Sequence, residues 1–201
     1  MSSSFPQHAT GRMTYPAKGT LNRLLFKTPL LWWRAGLGSV LGRYMLVFTT
    51  WGRRSKLPRH TMASYSFENG RYYLLSGWGE RTDWVRNMLA DPHVTVQDGV
   101  RTVSTLARRV ADVDEYAPIM ADILRIGGDT HFRPWLKSLD IAYDLDDLIA
   151  KRDRVHLIAL DPADEPGPPP MAADLVWVWA VMGAAFAMGW VLGRMRRGSE
   201  E

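Results

Sequence analysis

Cationic and hydroxyl side chains are concentrated in one short stretch between two apolar runs. The stretch reads Gly52-Arg-Arg-Ser-Lys-Leu-Pro-Arg59 and carries four cations and one hydroxyl. Glycine lets a backbone turn toward a ligand, arginine forms two parallel hydrogen bonds to phosphate, and backbone amides add further donors. We therefore predict a phosphate-binding turn here. A solvated basic hairpin is the alternative, and the better one for an isolated run of charge.

A second group of potential ligand contacts follows further along the chain. Ser76-Gly-Trp-Gly79 leads into a short helical pattern that is capped at Thr82 or Asp83 and extends past Asn87. A hydroxyl, backbone amides, a helix N-terminus and two indoles can together hold a flat, anionic molecule. The alternative is a strand, a turn and a helix whose tryptophans belong to the core.

The composition excludes several kinds of chemistry. The chain has no cysteine, so disulfides, thiolate metal sites and cysteine nucleophiles are ruled out. The histidines lack metal-ligand spacing, and neither a serine-hydrolase elbow nor a Walker loop occurs. A net charge of +4 and a pI near 9.5 favour anionic partners without selecting one, and we predict no nucleic-acid binding.

Short strands and turns must position these groups. We predict strands at 44–50, 59–67, 71–76, 93–97, 100–110 and 154–160. Asn69-Gly70 and Asp98-Gly99 are hairpin turns, so neighbouring strands should pair antiparallel. The fold class is therefore mainly β with flanking helices.

The remaining segments are predicted to be helical or to lie outside the main domain. Helical patterns cover 21–33, 82–89, 112–127, 132–139 and 145–151, with a turn over the glycines of 36–42. We expect a mobile tail at 1–18, one domain at 19–160, a Pro-rich acidic linker at 161–173 and a basic tail at 195–201. Residues 175–193 are uncharged and Arg194 follows them, which predicts a transmembrane helix at 174–194, with a buried oligomerisation helix as the alternative.

Residues 47–97 resemble the deazaflavin-dependent nitroreductase family. The resemblance rests on three runs: Thr49 to Arg59, then Asn69 to Gly79, then Asp83 to Gln97. A looser match in the order of strands and helices extends from Leu21 to Leu160. What the resemblance implies is a split β-barrel related to FMN-binding oxidases, which binds the deazaflavin coenzyme F-420 and reduces a small organic acceptor such as a nitro compound, quinone or enone.

The resemblance also implies a set of coenzyme contacts. They are Arg53, Arg54, Ser55, Pro58 and Arg59 on the basic turn, Ser76, Gly77, Trp78 and Gly79 on the second segment, and Trp84 with Asn87 on the helix. The chain departs from the family at Arg54, where a lysine is usual, at Lys56, where a glycine is usual, and at Gly77, where a lysine follows the serine. The family's late tyrosine cluster is replaced by His131, Phe132 and Trp135.

A proton must also reach the reduced acceptor. Histidine titrates near neutral pH, so His131 is a candidate donor, with Tyr65 or Tyr143 as others. Alternative functions are an FMN- or haem-binding barrel, or a membrane-tethered module that binds lipid phosphates. We expect a small-molecule acceptor and membrane lipid as partners, a homodimer at the family level, and a membrane-anchored chain with its main domain in the cytoplasm.

Overall fold

The structure is a computed structural model that describes residues 28–197, apart from the side chains of residues 129, 131 and 191–197. The tail predicted at 1–18, the first part of the helix predicted at 21–33 and the end of the basic tail lie outside the described residues. The helical elements are α1 Thr28–Trp32, a π-helical turn Trp33–Leu37, α2 Gly38–Leu41, a 3₁₀ turn Gly79–Arg81, α3 Asp83–Ala90, α4 Val113–Ser138, α5 Leu145–Ala150 and α6 Trp177–Arg197. The strands are β1 Met45–Trp51, β2 Pro58–Ser64, β3 Ser66–Glu68, β4 Arg71–Ser76, β5 His93–Gln97, β6 Thr102–Arg109 and β7 His156–Pro162.

The seven strands form one antiparallel sheet in the order β2-β1-β5-β6-β7-β4-β3. The sheet curls so that β2, at one edge, approaches β4, near the other edge. The result is a split-barrel-like half-barrel with flanking helices, which confirms the predicted fold class at that level.

Two hydrophobic clusters hold the sheet and its helices together. The concave side is filled by side chains of β1, β4, β5 and β7 together with Met88 of α3. The opposite face of β4 and β7 packs against α4 and α5, where Tyr116, Met120 and Leu136 are fully buried. Alternating side chains along β4 therefore reach two different cores.

Local turn chemistry was predicted correctly. Asn69 and Gly70 both have positive φ (51° and 78°), as a tight hairpin between β3 and β4 requires. At the second hairpin, the Asp98 carboxylate accepts hydrogen bonds from the amides of Val100 and Arg101, and Gly99 has φ 87°. The sequence located both turns because their residue types determine the backbone directly.

Several predicted elements have different bounds. The strand predicted at 59–67 is interrupted at Tyr65, whose hydroxyl donates to the Gly42 carbonyl at 2.9 Å. In the glycine-rich stretch 36–42, Gly36 (φ 89°) breaks the helical backbone and Gly42 lies in the turn after α2, whereas residues 38–41 are helical, so the predicted turn is found only at the two ends of the stretch. Helix α4 breaks at Gly128 (φ 68°), which confirms the predicted end near 127–128.

The Pro-rich segment 161–173 is not a free linker, because it packs on the sheet. Its first two residues belong to β7, and Gly167 donates to Ser104 Oγ at 3.3 Å. Gln97 then exchanges two hydrogen bonds with the backbone of Met171, at 2.7 and 3.1 Å. Prolines stiffen this extended segment and remove amide donors, so its side-chain partners on β5 and β6 fix its course. We call residues 163–171 the strap.

The strap leads to α6, for which a transmembrane helix was predicted at 174–194. Within the part of the chain that the structure describes, no helix is both long enough and apolar enough to cross a membrane. Helix α6 begins at Trp177, three residues after the predicted start at 174. The prediction is corrected on this finding, and the side chains of 191–194 lie outside the described residues.

The start of α6 is fastened to the first helical segment. Arg34 forms a bidentate ion pair with Asp174, with both distances at 2.7 Å, and the indole of Trp179 donates to the Ala35 carbonyl at 2.7 Å. The ends of the described chain are therefore joined on one side of the sheet.

Candidate functional site

The basic turn connects β1 to β2 and is closed by two backbone hydrogen bonds. The Gly52 amide donates to the Leu57 carbonyl at 2.9 Å, and the Lys56 amide donates to the Gly52 carbonyl at 2.7 Å. A Cβ on Gly52 would lie 2.5 Å from Ser55 Oγ and 3.2 Å from the Leu57 carbonyl oxygen, so a larger residue there would require the Ser55 side chain to move. The turn is a defined loop, and Arg54, Ser55 and Arg59 are exposed on it as predicted.

The cations of this turn divide into an inner and an outer set. Arg53 faces inward, where its guanidinium donates to the side chains of Asp83 and Asn87 at 3.1 to 3.2 Å. In the described part of the chain, Arg54 and Lys56 have no ion pair, and Arg59 donates only to Ser55 Oγ. The outer three cations can therefore receive an anion, whereas Arg53 already has its partners.

Asn87 connects the basic turn to helix α3. It is 5% exposed, its carbonyl oxygen accepts from Arg53, and its amide nitrogen donates to Thr50 Oγ1 at 3.2 Å. Both polar atoms of the side chain are thus used within the protein. Asn87 positions the turn, and its predicted contact with a coenzyme would require these bonds to rearrange.

The second predicted segment lies at the N-terminal end of the same helix. Ser76 and Thr82 both donate to the Gly79 carbonyl, at 3.2 and 2.8 Å, and Ser76 is 1% exposed. Gly79 has φ 49° and is buried, while Trp78 is half-buried. The hydroxyls stabilise the bend that leads into α3, and contact of Ser76 with a coenzyme stays a prediction.

His156 lies beneath this bend, and its position in the sequence indicates no metal-ligand role. It pairs with Ser76 across β4 and β7, and a Cβ on Gly79 would lie 3.3 Å from its ring. Its Nδ1 is buried and has no hydrogen-bond partner among the described residues. Burial lowers the pKa of His156, with Arg109 lowering it further, so the ring is neutral at neutral pH.

An apolar cavity of about 280 Å³ lies on the other side of the same segment. It is lined by Leu75, Gly77, Phe132 and Trp135. The indole of Trp135 donates to the Gly77 carbonyl at 3.3 Å, and a Cβ on Gly77 would lie 2.9 Å from that nitrogen. A flat, apolar molecule suits such a lining. Sequence patterns carry only a weak signal for this cavity, because Gly77 and Trp135 are far apart in the chain.

Trp84 is half-buried and packs on the concave core. Its ring meets Phe48 edge-on, with centroids 5.3 Å apart and planes at 71°. This contact shows that part of the indole belongs to the core. Contact between the exposed part of the indole and a coenzyme stays a prediction.

The candidate proton donors are not brought together with the basic turn. Tyr65 follows the far end of β2 and uses its hydroxyl on Gly42, while Tyr143 donates to the Leu124 carbonyl at 3.1 Å. Burial raises the pKa of Tyr65, which makes it a weaker acid. His131 belongs to α4, but its side chain lies outside the described residues. The identity of a proton donor therefore stays a prediction.

Comparisons with known proteins support the resemblance seen in the sequence. Residues 34–125, a little under half of the chain, match the model of the family described as "F420H(2)-dependent quinone reductase". The stretch contains the basic turn, the second segment and α3. The resemblance to deazaflavin-dependent reductases is confirmed by this match, which supports an oxidoreductase. No curated protein matches the chain.

The solved structures that match this chain have low sequence identity to it. An F420-H2 dependent reductase is 20% identical, with 59% of this chain and 95% of that chain covered at a TM-score of 0.44. A pyridoxamine 5'-phosphate oxidase-like protein from Listeria innocua is 15% identical, with 64% and 90% covered at 0.42. The haem storage protein HutZ from Vibrio cholerae is 14% identical, with 73% and 97% covered at 0.43.

Proposed function

We propose that this chain is an oxidoreductase that uses reduced coenzyme F-420 and transfers hydride to a small organic acceptor of the quinone type. The observation that carries the proposal is the outer set of three cations on a defined turn, inside the stretch that matches the family of quinone reductases. The phosphate of the coenzyme requires an anion site, and Arg54 and Arg59 offer forked donors for it.

The described residues suit both the phosphate and the ring system of such a coenzyme. Arg54, Ser55 and Arg59 would hold the phosphate, and the bend of residues 76–79 would support the ring system. The bound coenzyme supplies the hydride, and the protein chiefly binds, orients and excludes water. A rigid bend serves that task, because the hydroxyls of Ser76 and Thr82 fix it from within the core.

The apolar cavity beside Gly77 is the proposed place for the acceptor. A quinone ring has two flat apolar faces, which suit Phe132 and Trp135, and these two rings are themselves perpendicular (5.5 Å, 80°). Nitro compounds and enones share the flat shape, so the acceptor's identity rests on the family match and is part of the proposal.

Binding and turnover measurements test this function. Purified full-length protein is titrated with F-420, FMN and haem, each followed by fluorescence or absorption. We expect F-420 to bind most tightly, and reduced F-420 to be oxidised faster with a benzoquinone acceptor than with nitro or enone acceptors. Tighter binding of FMN or haem would favour the alternative cofactors, and binding of vesicles alone would favour a non-enzymatic module.

Two further parts of the proposal concern assembly and location. We propose a homodimer and a cytoplasmic position for the main domain, both of which rest on the sequence-based expectation. Light scattering of the purified protein measures the first, and protease accessibility in intact cells measures the second. A monomer, or cleavage of the domain from outside the cell, would contradict them.

A further inference from the structure

Lys56 occupies a backbone conformation that lysine rarely adopts. Its φ is 55°, in the left-handed region, where the Cβ of any residue but glycine approaches the following carbonyl. Among the described residues, the other non-glycine positions with positive φ are Asn69 and Asp140. Short polar side chains tolerate this region, whereas the aliphatic stem of lysine offers no local compensation.

The turn itself requires this conformation. Residues 53–55 form a single helical turn, and the left-handed residue ends it with a hydrogen bond from its own amide to the Gly52 carbonyl. Glycine would close the same turn with less strain, and glycine is the residue usual at this place in the family that the sequence resembles. A lysine at this position therefore carries a backbone cost.

The side chain of Lys56 is exposed and its charge has no ion-pair partner in the part of the chain that the structure describes. Asp91 lies within electrostatic range, but its carboxylate is held at 2.8 Å by the imidazole of His93. Arg54 and Arg59 lie on either side of Lys56 in the same turn. Three neighbouring cations repel one another unless an anion lies among them.

We propose that Lys56 is an additional contact to the phosphate of the coenzyme, supplied by this chain at a position where the family resemblance implies glycine. The inference rests on the proposed function, because it assigns the anion in the turn to F-420. A compact ammonium on a flexible stem can reach the same phosphate as the forked guanidinium groups without competing for their geometry. The attraction between the Lys56 ammonium and the phosphate offsets the backbone cost at Lys56 only when the phosphate is bound.

Three substitutions of Lys56 separate charge from backbone. Lys56→Gly and Lys56→Asn remove the charge and tolerate the left-handed conformation, while Lys56→Arg keeps the charge and the backbone cost. F-420 affinity of the full chain is measured by fluorescence titration over a series of salt concentrations, and thermal unfolding is measured without coenzyme. We expect the first two variants to bind roughly tenfold more weakly with a shallower salt dependence, and Lys56→Arg to bind within about twofold of the parent.

Replacing Lys56 by glycine should change the unfolding temperature and the F-420 affinity in opposite directions. Lys56→Gly should unfold at the same temperature as the parent chain or higher, because strain is relieved while affinity falls. Asn69→Gly is the matched control, since it relaxes a left-handed residue in another hairpin without changing charge, and its affinity should not change. Arg125→Gln, on an exposed face of α4, controls for the loss of one positive charge.

Specific outcomes would overturn the inference. Unchanged affinity and salt dependence in both Lys56→Gly and Lys56→Asn would make Lys56 a surface residue. Equal weakening in Lys56→Arg, which keeps both the charge and the backbone cost, would show that positive charge at this position does not carry the affinity. In either case a parent chain that binds F-420 leaves the proposed function standing, whereas a parent chain that does not bind F-420 removes both.

Discussion

Two adjacent arginines on the basic turn have opposite surroundings. Arg54 is exposed and has no ion pair among the described residues, and Arg53 is held by Asp83 and Asn87. Their sequence positions give no reason to separate them, because both match the same motif. Mutation of each can therefore distinguish ligand binding from support of the fold.

Arg54→Ala should weaken F-420 binding by about tenfold, equivalent to about 1.4 kcal/mol, because a charged hydrogen bond to phosphate is lost. The free energy of unfolding should change by less than about 0.5 kcal/mol, since the side chain is exposed. Fluorescence titration and urea unfolding measure the two quantities. Unchanged affinity would remove Arg54 from the site.

Arg53→Ala serves as the comparison for that experiment. It leaves the Asn87 carbonyl oxygen with fewer donors in a buried position, so it should destabilise the protein by about 1 to 3 kcal/mol. If Arg53→Ala were instead neutral in stability and harmful to binding, Arg53 would be a direct ligand contact.

Trp84→Ala should destabilise the protein by about 3 kcal/mol, because the indole fills space against Phe48 in the concave core. Trp84→Phe keeps most of this packing and is the variant in which coenzyme binding is compared. An affinity that falls in Trp84→Phe while stability stays near that of the parent chain would support contact between the indole and the coenzyme. An intact affinity would leave Trp84 a core residue.

At the scale of elements, the hairpin between β5 and β6 depends on one carboxylate. Asp98 is 8% exposed and accepts from Tyr72 Oη at 2.7 Å, as well as from two turn amides. Burial alone would raise the pKa of Asp98, but the bonds from Arg101, Tyr72 and Val100 outweigh it and hold the pKa at about 2. The hairpin is therefore stabilised by the charged form.

Acid should selectively weaken this hairpin. Because the folded pKa lies below the unfolded one, near 3.8, the contribution is present above about pH 4 and is lost as the pH falls toward 2. It amounts to about 2 kcal/mol. Asp98→Asn should lower the unfolding free energy by a similar amount at pH 7 and show a smaller loss between pH 5 and 2.5. Parallel acid curves for the two proteins would contradict the assignment.

At the scale of the whole molecule, the strap connects the sheet to the helices at both ends of the described chain. Met171 is 9% exposed and packs with Trp33 and Val47, while Gln97 holds its backbone. A segment with the composition of a spacer is thus part of the folded domain. We therefore propose that the folded domain extends to Met171, past residue 161, where the composition indicates its end.

Two truncations test this boundary. A chain that ends at Pro162 loses the strap and should be destabilised by about 3 to 5 kcal/mol, from several hydrogen bonds and the buried Met171. A chain that ends at Met171 loses α6, the exposed Arg34–Asp174 pair and the hydrogen bonds of Leu175 and Trp179 to the first helical segment, for which about 1 to 2 kcal/mol is expected. Urea unfolding compares them, and equal stability of both would show that the strap contributes nothing.

Local residue patterns were sufficient for most strands, both hairpins and the position of the basic turn. Asn69-Gly70 and Asp98-Gly99 determine their own backbone, and β-branched runs such as Val47 to Thr50 favour strands wherever they pair. Residue types also identified the exposed cations of the candidate site. Each of these features depends on neighbours only a few positions away in the chain.

Only the tertiary structure decided which of those residues face a ligand and which face the protein. The partners of Arg53, Gly77 and Gly79 lie on α3, α4 and β7, and Met171 meets Gln97 across 74 positions. The curl of the sheet brings these groups together. The sequence pattern would be the same if the strands were arranged differently, so the pattern alone does not predict these contacts. Hydrogen bonds and packing act over a few ångströms in space, so contacts between distant positions in the chain exist only once the sheet has closed around its two cores.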